Sequence, residues 1–356
     1  MRRKENRRKV GRLFVLGAGA SYSATRRSAE SIKTAPLDNS LCKRIAALSP
    51  IRPHWVMDSR ELVISNWQDA GGFTGIGLEQ AVIRQLGHLE FIDAIHPRRR
   101  ATAINVFQWL SHITHLMCYS LRQAKENSAH VYAAFADKLH LNMAADEPAD
   151  RVVTFNYDDL LDQHLLRKYE ATKLYFDRIK NSASEQDRRE AIHPFPMLVK
   201  LHGSVNWRCK EEDFKRTIEE KKSTTAATWL EQVWLSSVGT PRPDDSVYPL
   251  MVPPLPVKPI TSISLFQYLW TLAYEYLHEA EHIVVCGYSL PDADRLAWSL
   301  FGNFSNRTLK AVTVIDPNPS VLTKWRVLFK RRSVAVARWE YFDDFASYVD
   351  AMQKLA

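Results

Sequence analysis

Cysteine is scarce. The four in 356 residues, Cys42, Cys118, Cys209 and Cys286, lie too far apart to form any C-x-x-C pair. This spacing excludes a zinc ribbon and gives no disulfide framework; it suits reduced, buried thiols in a cytoplasmic protein. Long apolar runs are also missing. None approaches the roughly 20 residues of a membrane span, so no membrane association is expected. A large net basic excess is absent from most of the chain despite a formal net charge of +8. Arg2, Arg3, Lys4, Arg7, Arg8, Lys9 and Arg12 against Glu5 account for +6 of it, leaving +2 for the remainder. The basicity is therefore an N-terminal tail, read either as solvated or as an arm for an acidic partner or nucleic acid. The tail imitates the start of a secretory signal, but the apolar run after it is too short and its small residues begin too early.

What is present is an ordinary globular composition, 46% hydrophobic and 25% charged. Short apolar runs recur at Arg12–Leu16, Arg151–Phe155, Met197–Leu201, Pro249–Val252, His282–Cys286, Ala311–Ile315 and Ser333–Arg338. Continuous runs of this kind suit strands buried on both faces. Helical patterns occupy Glu79–Ile95, Ala101–Glu126, Val131–His140, Ser264–Ala280 and Phe345–Lys354. Their alternation predicts an α/β fold with an open, mostly parallel Rossmann-like sheet. The gap between the first two strands is far longer than one crossover needs. The expected organisation is thus a basic tail over residues 1–10 and one domain over 11–356. That domain carries an α-helical insertion at about 40–145 and polar excursions at about 168–190 and 210–245.

Open α/β sheets bind ligands at the carboxyl ends of their strands. The first strand ends in Gly17-Ala18-Gly19-Ala20-Ser21, the second in "TFNYDD", the third in "HGSVNW". "GYSLPDAD" follows His282–Cys286 and "DPNP" follows Ala311–Ile315. Five compact turns of this sort suggest one large ligand laid across the strand ends. The small residues at 17–21 and the Gly287–Ser289 turn suit phosphates at a helix N-terminus. Asp316 stands where an acidic residue would hold a ribose. Asn156 and His202 offer a neutral amide and a base titrating near neutrality, a pair able to position a hydroxyl and move one proton. His112, His115 and Cys118 fall at i, i+3 and i+6 of a helical pattern, but the stretch is apolar and lacks a fourth ligand, so core is expected there and no metal.

In this order, "LGAGAS", "TFNYDDLL", "KLHGSVNW", "VPPLPVKP", "CGYSLPDAD" and "VIDPNP" resemble the sirtuin-like NAD-binding superfamily. More narrowly, the set is similar to bacterial sirtuin-like effectors that degrade NAD in anti-phage defence. The resemblance implies NAD as substrate, Asn156 and His202 as catalytic residues, and Asp158 at the nicotinamide end. It implies that Gly17, Ala18, Gly19 and Ser21 face the pyrophosphate and its riboses, that Gly287 and Ser289 close over the phosphates, and that Asp316 meets the adenosine ribose. Ala20, Thr154, Tyr157 and Gly203 belong to the same motifs and are expected at the cofactor. It further implies an NAD glycohydrolase in the cytoplasm, a homo-oligomer, and an associated ATPase or nuclease-type partner. The paired C-x-x-C zinc module of deacylase sirtuins is missing, as is their Pro-Asp-Phe-Arg turn, which disfavours protein deacylation. A non-catalytic subunit sensing NAD or ADP-ribose is the alternative from another functional class.

Overall fold

The structure is a computed structural model. It describes residues 10–26, 33–48, 53–69, 77–95, 102–127, 130–140, 148–176, 196–220, 232–236, 239–243, 245–253, 263–292, 294–330 and 335–339. The basic tail to residue 9 and the helix expected at Phe345–Lys354 lie outside these residues.

Six parallel strands form the main sheet. They are β1 (Val10–Leu16), β2 (Ala149–Thr154), β3 (Leu198–Lys200), β7 (Ala280–Cys286), β8 (Ala311–Ile315) and β9 (Ala335–Trp339), in the order β3-β2-β1-β7-β8-β9. The register sets Leu16 beside Thr154 on one side and Cys286 on the other, with Cys286 beside Ile315. All four strand ends therefore lie level. The chain builds outward from β1 through β2 to β3, then resumes on β1's other side with β7. The crevice at that reversal is where open α/β sheets bind ligands. The Rossmann-like parallel sheet expected from the apolar runs is the observed fold.

One strand belongs elsewhere. Pro249–Val252 was expected among the parallel strands, but β6 (Val247–Met251) pairs antiparallel with β4 (Gly203–Lys210), which also pairs with β5 (Trp234–Leu235). β6 is an edge of this second sheet, and an edge tolerates the missing N–H of Pro249. The "HGSVNW" stretch is correspondingly not a turn: apart from its first residue it is the beginning of β4, buried as far as Cys209.

Helices surround both sheets. α1 (Ala18–Thr25) leaves β1 directly, with Gly17 as an extended N-cap. α2 (Asp38–Ala46), α3 (His54–Asp69), α4 (Leu78–Ile95) and α5 (Thr102–Leu121) follow before β2. These four helices share a buried apolar cluster, including Leu41, Val63, Val82, Ile113 and Met117, joined by Val205 and Met251 from the second sheet. α6 (Val131–Lys138) contributes instead to the main core, with Phe135 edge-on to Phe14 of β1 at 5.1 Å. α7 (Leu160–Leu165), α8 (Ala171–Leu174) and α9 (Glu211–Glu220) are short. α10 (Ser264–Glu279) contacts β1, β3 and β7. α11 (Arg295–Asn303) and α12 (Pro319–Phe329) complete the crossovers to β8 and β9. Among the described residues, no helix is long and apolar enough to cross a membrane.

Candidate functional site

A cavity of about 650 Å³ opens at the carboxyl ends of β1, β2, β7 and β8. Its volume falls within the range of roughly 300–1,000 Å³ usual for ligand sites. One wall comes from α1 and the strand ends; the other is apolar, from Leu37, Leu41, Leu78, Met117 and Leu121 of the helical cluster and its approaches.

The floor is an interlock of two backbone turns. Gly17 N donates to Cys286 O and Gly19 N donates to Gly287 O, both at 2.9 Å. Gly287 has φ +59°, and a Cβ there would lie 2.2 Å from Ala20 N. A Cβ on Gly17 would lie 2.5 Å from Tyr288 Cα. Small residues are thus required first because the two turns cross at van der Waals limits. The exposed backbone at Ala18 and Gly19 faces the cavity, whereas Gly17 and Ala20 do not line it.

Asn156 follows β2 and is buried. Its backbone N–H donates to Thr154 Oγ1 at 3.0 Å, and its Nδ2 donates to Gly17 O and to Ser21 Oγ, each at 2.9 Å. Thr154 is off the cavity wall; besides this contact it donates from Oγ1 to Leu16 O and accepts from Leu201 N, tying β1 and β3 to the site. With Nδ2 committed to the protein, the amide oxygen is the group Asn156 can turn toward a ligand hydroxyl. His202 follows β3. Its ring stands edge-on to Phe155 at 5.5 Å and nearly parallel to Tyr157 at 5.8 Å. Trp270 of α10 lies 6.2 Å away and donates from Nε1 to Leu201 O. Phe155 itself stacks on Tyr288 with centroids 4.0 Å apart. These rings shield the imidazole from bulk water on the protein side. Tyr157 is held by donation from its hydroxyl to Val252 O at 2.7 Å.

Asp158 is buried on the wall, and that burial raises its carboxyl pKa; the Lys200 ammonium and a hydrogen bond from Ser21 oppose the rise. Lys200 lies wholly inside the protein, donating from Nζ to Asp158 O at 2.6 Å and to both Asp162 oxygens at 3.0 and 3.1 Å. Asp162 also accepts from the Tyr175 hydroxyl, which in turn accepts from Asn206 Nδ2. This buried network clamps the loop bearing Asn156 and Asp158 to β3. Lys200, Asp162 and Tyr132, a buried phenol beside Ser21, were not singled out in the sequence. A lysine within the apolar run "MLVKLHG" was the legible signal for the first; nothing local marks the other two.

Gly203 has φ +79°, and a Cβ there would lie 2.1 Å from Leu250 O, so its requirement comes from the second sheet, off the cavity. Gly287 lines the cavity, and Ser289 is an exposed part of its lining. Asp294 caps α11 and accepts from the Tyr288 hydroxyl at 3.1 Å, fixing that turn. Asp316 follows β8 at the cavity with Oδ1 accepting from Asn318 N at 2.8 Å. Burial raises its pKa, against the smaller effects of Asn318 and of the Arg338 guanidinium.

The helical His/Cys set is split among separate partners. His112 Nδ1 pairs with Ser59 Oγ at 2.8 Å, and His115 Nδ1 with Ser111 O at 2.7 Å. Cys118 Sγ donates to Val205 O. Desolvation lowers the His115 pKa to about 4. Among the described residues, no group of three or more His, Cys, Asp or Glu is placed to hold a metal ion.

Comparison with known families matches residues 150–244 to the SIR2-like domain. That segment carries β2, Asn156, Asp158, Lys200, His202 and β4, whereas the glycine floor and Asp316 lie outside it. No curated protein matches the chain. The match supports a sirtuin-like superfamily for this chain, and with it an NAD-related activity.

Proposed function

We propose that the chain is an NAD glycohydrolase, cutting the nicotinamide–ribose bond with water to give nicotinamide, ADP-ribose and a proton. The observation carrying this reading is that Asn156, after β2, and His202, after β3, line one cavity with Gly19, Gly287 and Asp316. An elongated dinucleotide fits that layout. Backbone at a helix start suits its phosphates, a buried carboxylate suits a ribose, and an amide and an imidazole suit the reacting end.

NAD supplies its own leaving group, a pyridinium that departs as neutral nicotinamide while positive charge passes to the ribose carbon. The chain's part is to orient, to exclude loose water and to meet that charge. Asn156 accepts from a ribose hydroxyl or the attacking water through its amide oxygen. Asp158 sets a buried negative charge against the cation. His202 takes the proton released as water adds. The apolar wall from α2, α4 and α5 keeps other water out.

The motif set's resemblance to phage-defence effectors supports a defence role in the cytoplasm, where NAD depletion would stop growth. Self-assembly and control by an ATPase or nuclease-type partner belong to the same reading, as does capture of nucleic acid or an acidic surface by the basic tail.

The test is incubation of the purified chain with NAD, with nicotinamide and ADP-ribose resolved chromatographically. Asn156→Ala and His202→Ala are each expected to lower kcat by roughly 10²–10⁴-fold, the usual worth of such groups. The double variant should be little worse, because both act on one reacting centre. Full activity in either single variant removes the assignment. A wild-type chain that binds NAD tightly without cutting it would make the protein a sensor instead.

A further inference from the structure

The chemistry proposed above needs Asn156 to keep its amide oxygen toward the cavity. One hydroxyl holds that amide from behind. Ser21 Oγ accepts from Asn156 Nδ2 and also lies 2.9 Å from the Tyr132 hydroxyl, where distance alone does not say which oxygen donates. Valence decides it. A serine hydroxyl has one proton and two lone pairs. An amide nitrogen only donates, so Asn156 occupies one lone pair. Ser21 also has a hydrogen bond with Asp158 that favours its charged form; that form only accepts, so toward it the serine is the donor. Tyr132 is left to donate into the second lone pair, and it also shares a side-chain hydrogen bond with Asn156 itself.

Ser21 and Tyr132 are each 1% exposed and Asn156 7%, so no bulk water competes for these bonds. The three residues come from α1, α6 and the turn after β2, and Tyr132 itself is off the cavity wall. The Ser21 hydroxyl, expected from the sequence to face a pyrophosphate, is fully used by the protein. A flipped Asn156 amide would set its oxygen against both Gly17 O and a serine oxygen whose proton already points elsewhere.

We propose that Tyr132 is a positioning residue for Asn156, acting together with Ser21. By filling the last lone pair of Ser21 it directs the serine proton to Asp158 and holds the Asn156 amide in one of its two orientations. This rests on the assignment of Asn156 to the reacting end of the site.

Tyr132→Phe keeps the ring and removes only the hydroxyl. The expected result is a fall in kcat for NAD cleavage on the order of ten-fold, with KM within about two-fold, because a neutral buried hydrogen bond of modest worth is lost at the reacting end. In a Ser21→Ala background the same substitution should lower kcat by a smaller factor, since the route through the serine is gone and only the direct contact with Asn156 remains. Wild-type kcat in Tyr132→Phe overturns the proposal, and so does an equal loss in both backgrounds, which is what a general structural role would give. A second measurement needs no turnover. With isotope-labelled asparagine, the Asn156 side-chain amide resonance is identified by its disappearance in Asn156→Asp. Its exchange with solvent should quicken roughly ten-fold in Tyr132→Phe, as expected for a buried bond made easier to open. Unchanged exchange overturns the positioning role whether or not the wild type cleaves NAD. Faster exchange in a chain that cannot cleave NAD would leave the positioning role standing and overturn the glycohydrolase reading alone.

Discussion

Gly287→Ala tests whether the cavity floor is built as described, independently of any activity. A residue with a Cβ costs about 1–2 kcal/mol in the left-handed region, and Gly287 sits there at φ +59°. The new carbon would also meet Ala20 N at 2.2 Å, Gly19 C at 2.5 Å and Gly19 Cα at 2.7 Å. All three are backbone, so no side chain can rotate away, and comfortable contact near 3.5–4.0 Å requires moving α1 from the β7 turn by roughly 1 Å. Such overpacking adds about 1–3 kcal/mol, for a total of roughly 2–5 kcal/mol. Gly239→Ala is the internal control. Its φ is +62°, almost the same strain, but among the described residues nothing beyond its chain neighbours lies within 4 Å of the added carbon. It should cost only the conformational part, about 1–2 kcal/mol. Equilibrium urea unfolding, followed by tryptophan fluorescence with the m-value monitored, reads the difference. Calorimetric titration with NAD reads whether the displaced floor still accepts the ligand, and affinity should fall only in Gly287→Ala. Equal unfolding midpoints for the two variants would refute the interlock.

Lys200→Met should destabilise the chain by about 3–5 kcal/mol, because it leaves Asp162 buried with its cationic partner gone; adding Asp162→Asn should restore part of the loss in the same unfolding assay. Asp316→Asn should raise the melting temperature at neutral pH while weakening NAD binding more than turnover. The sign follows from burial. The folded pKa of Asp316 is raised, so ionising it in the native state costs stability as pH rises through that value. The variant's advantage should therefore shrink as melting is measured at progressively lower pH. A constant advantage at all pH values would contradict the raised pKa.

The parallel sheet was legible because β2, β3 and most of β1, β7 and β8 are buried on both faces. "LFVL", "RVVTF" and "HIVVC" say strand without knowledge of their neighbours. Pairing was not legible. β6 has the same apolar appearance, and its assignment to a second sheet depends on β4, some 40 residues earlier. β4 was hidden by its polar residues, which are buried against partners both adjacent and remote in the chain. Asn206 reaches the Tyr175 hydroxyl, and Arg208 donates to the carbonyls of Val205, Trp207 and Gly239. α11 and α12 carried readable start signals in Asp294 and in Asn318-Pro319, an N-cap followed by proline at N1. Those residues had been read only as ligand turns.

The candidate site residues divide by the same logic. Asn156, Asp158, His202, Gly287 and Asp316 stood out because polar or glycine residues interrupt apolar runs at strand ends, and strand ends of an α/β sheet converge. The residues that hold them come from elements remote in sequence. Tyr132 reaches Ser21 across 111 positions, and Lys200 reaches Asp162 across 38. No local pattern encodes such pairs, since each residue alone is compatible with ordinary core or surface. The concentration of buried polar groups at one edge of the sheet is itself the stronger argument. Asn156, Asp158, Asp162, Lys200, His202 and Asp316 are all nearly buried there, and each would be more cheaply replaced by an apolar side chain if folding were the only demand. The interior of the same strands is mostly Leu, Val, Ile and Phe, with Asp150, Arg151 and Thr313 as buried exceptions. Asp150, Arg151, Asn206 and Arg208 are buried elsewhere, but Asn156, Asp158, His202 and Asp316 converge on one cavity, and that convergence marks the edge as a place where something other than stability is selected. The Ser21–Tyr132 pair extends that edge by one layer into the core.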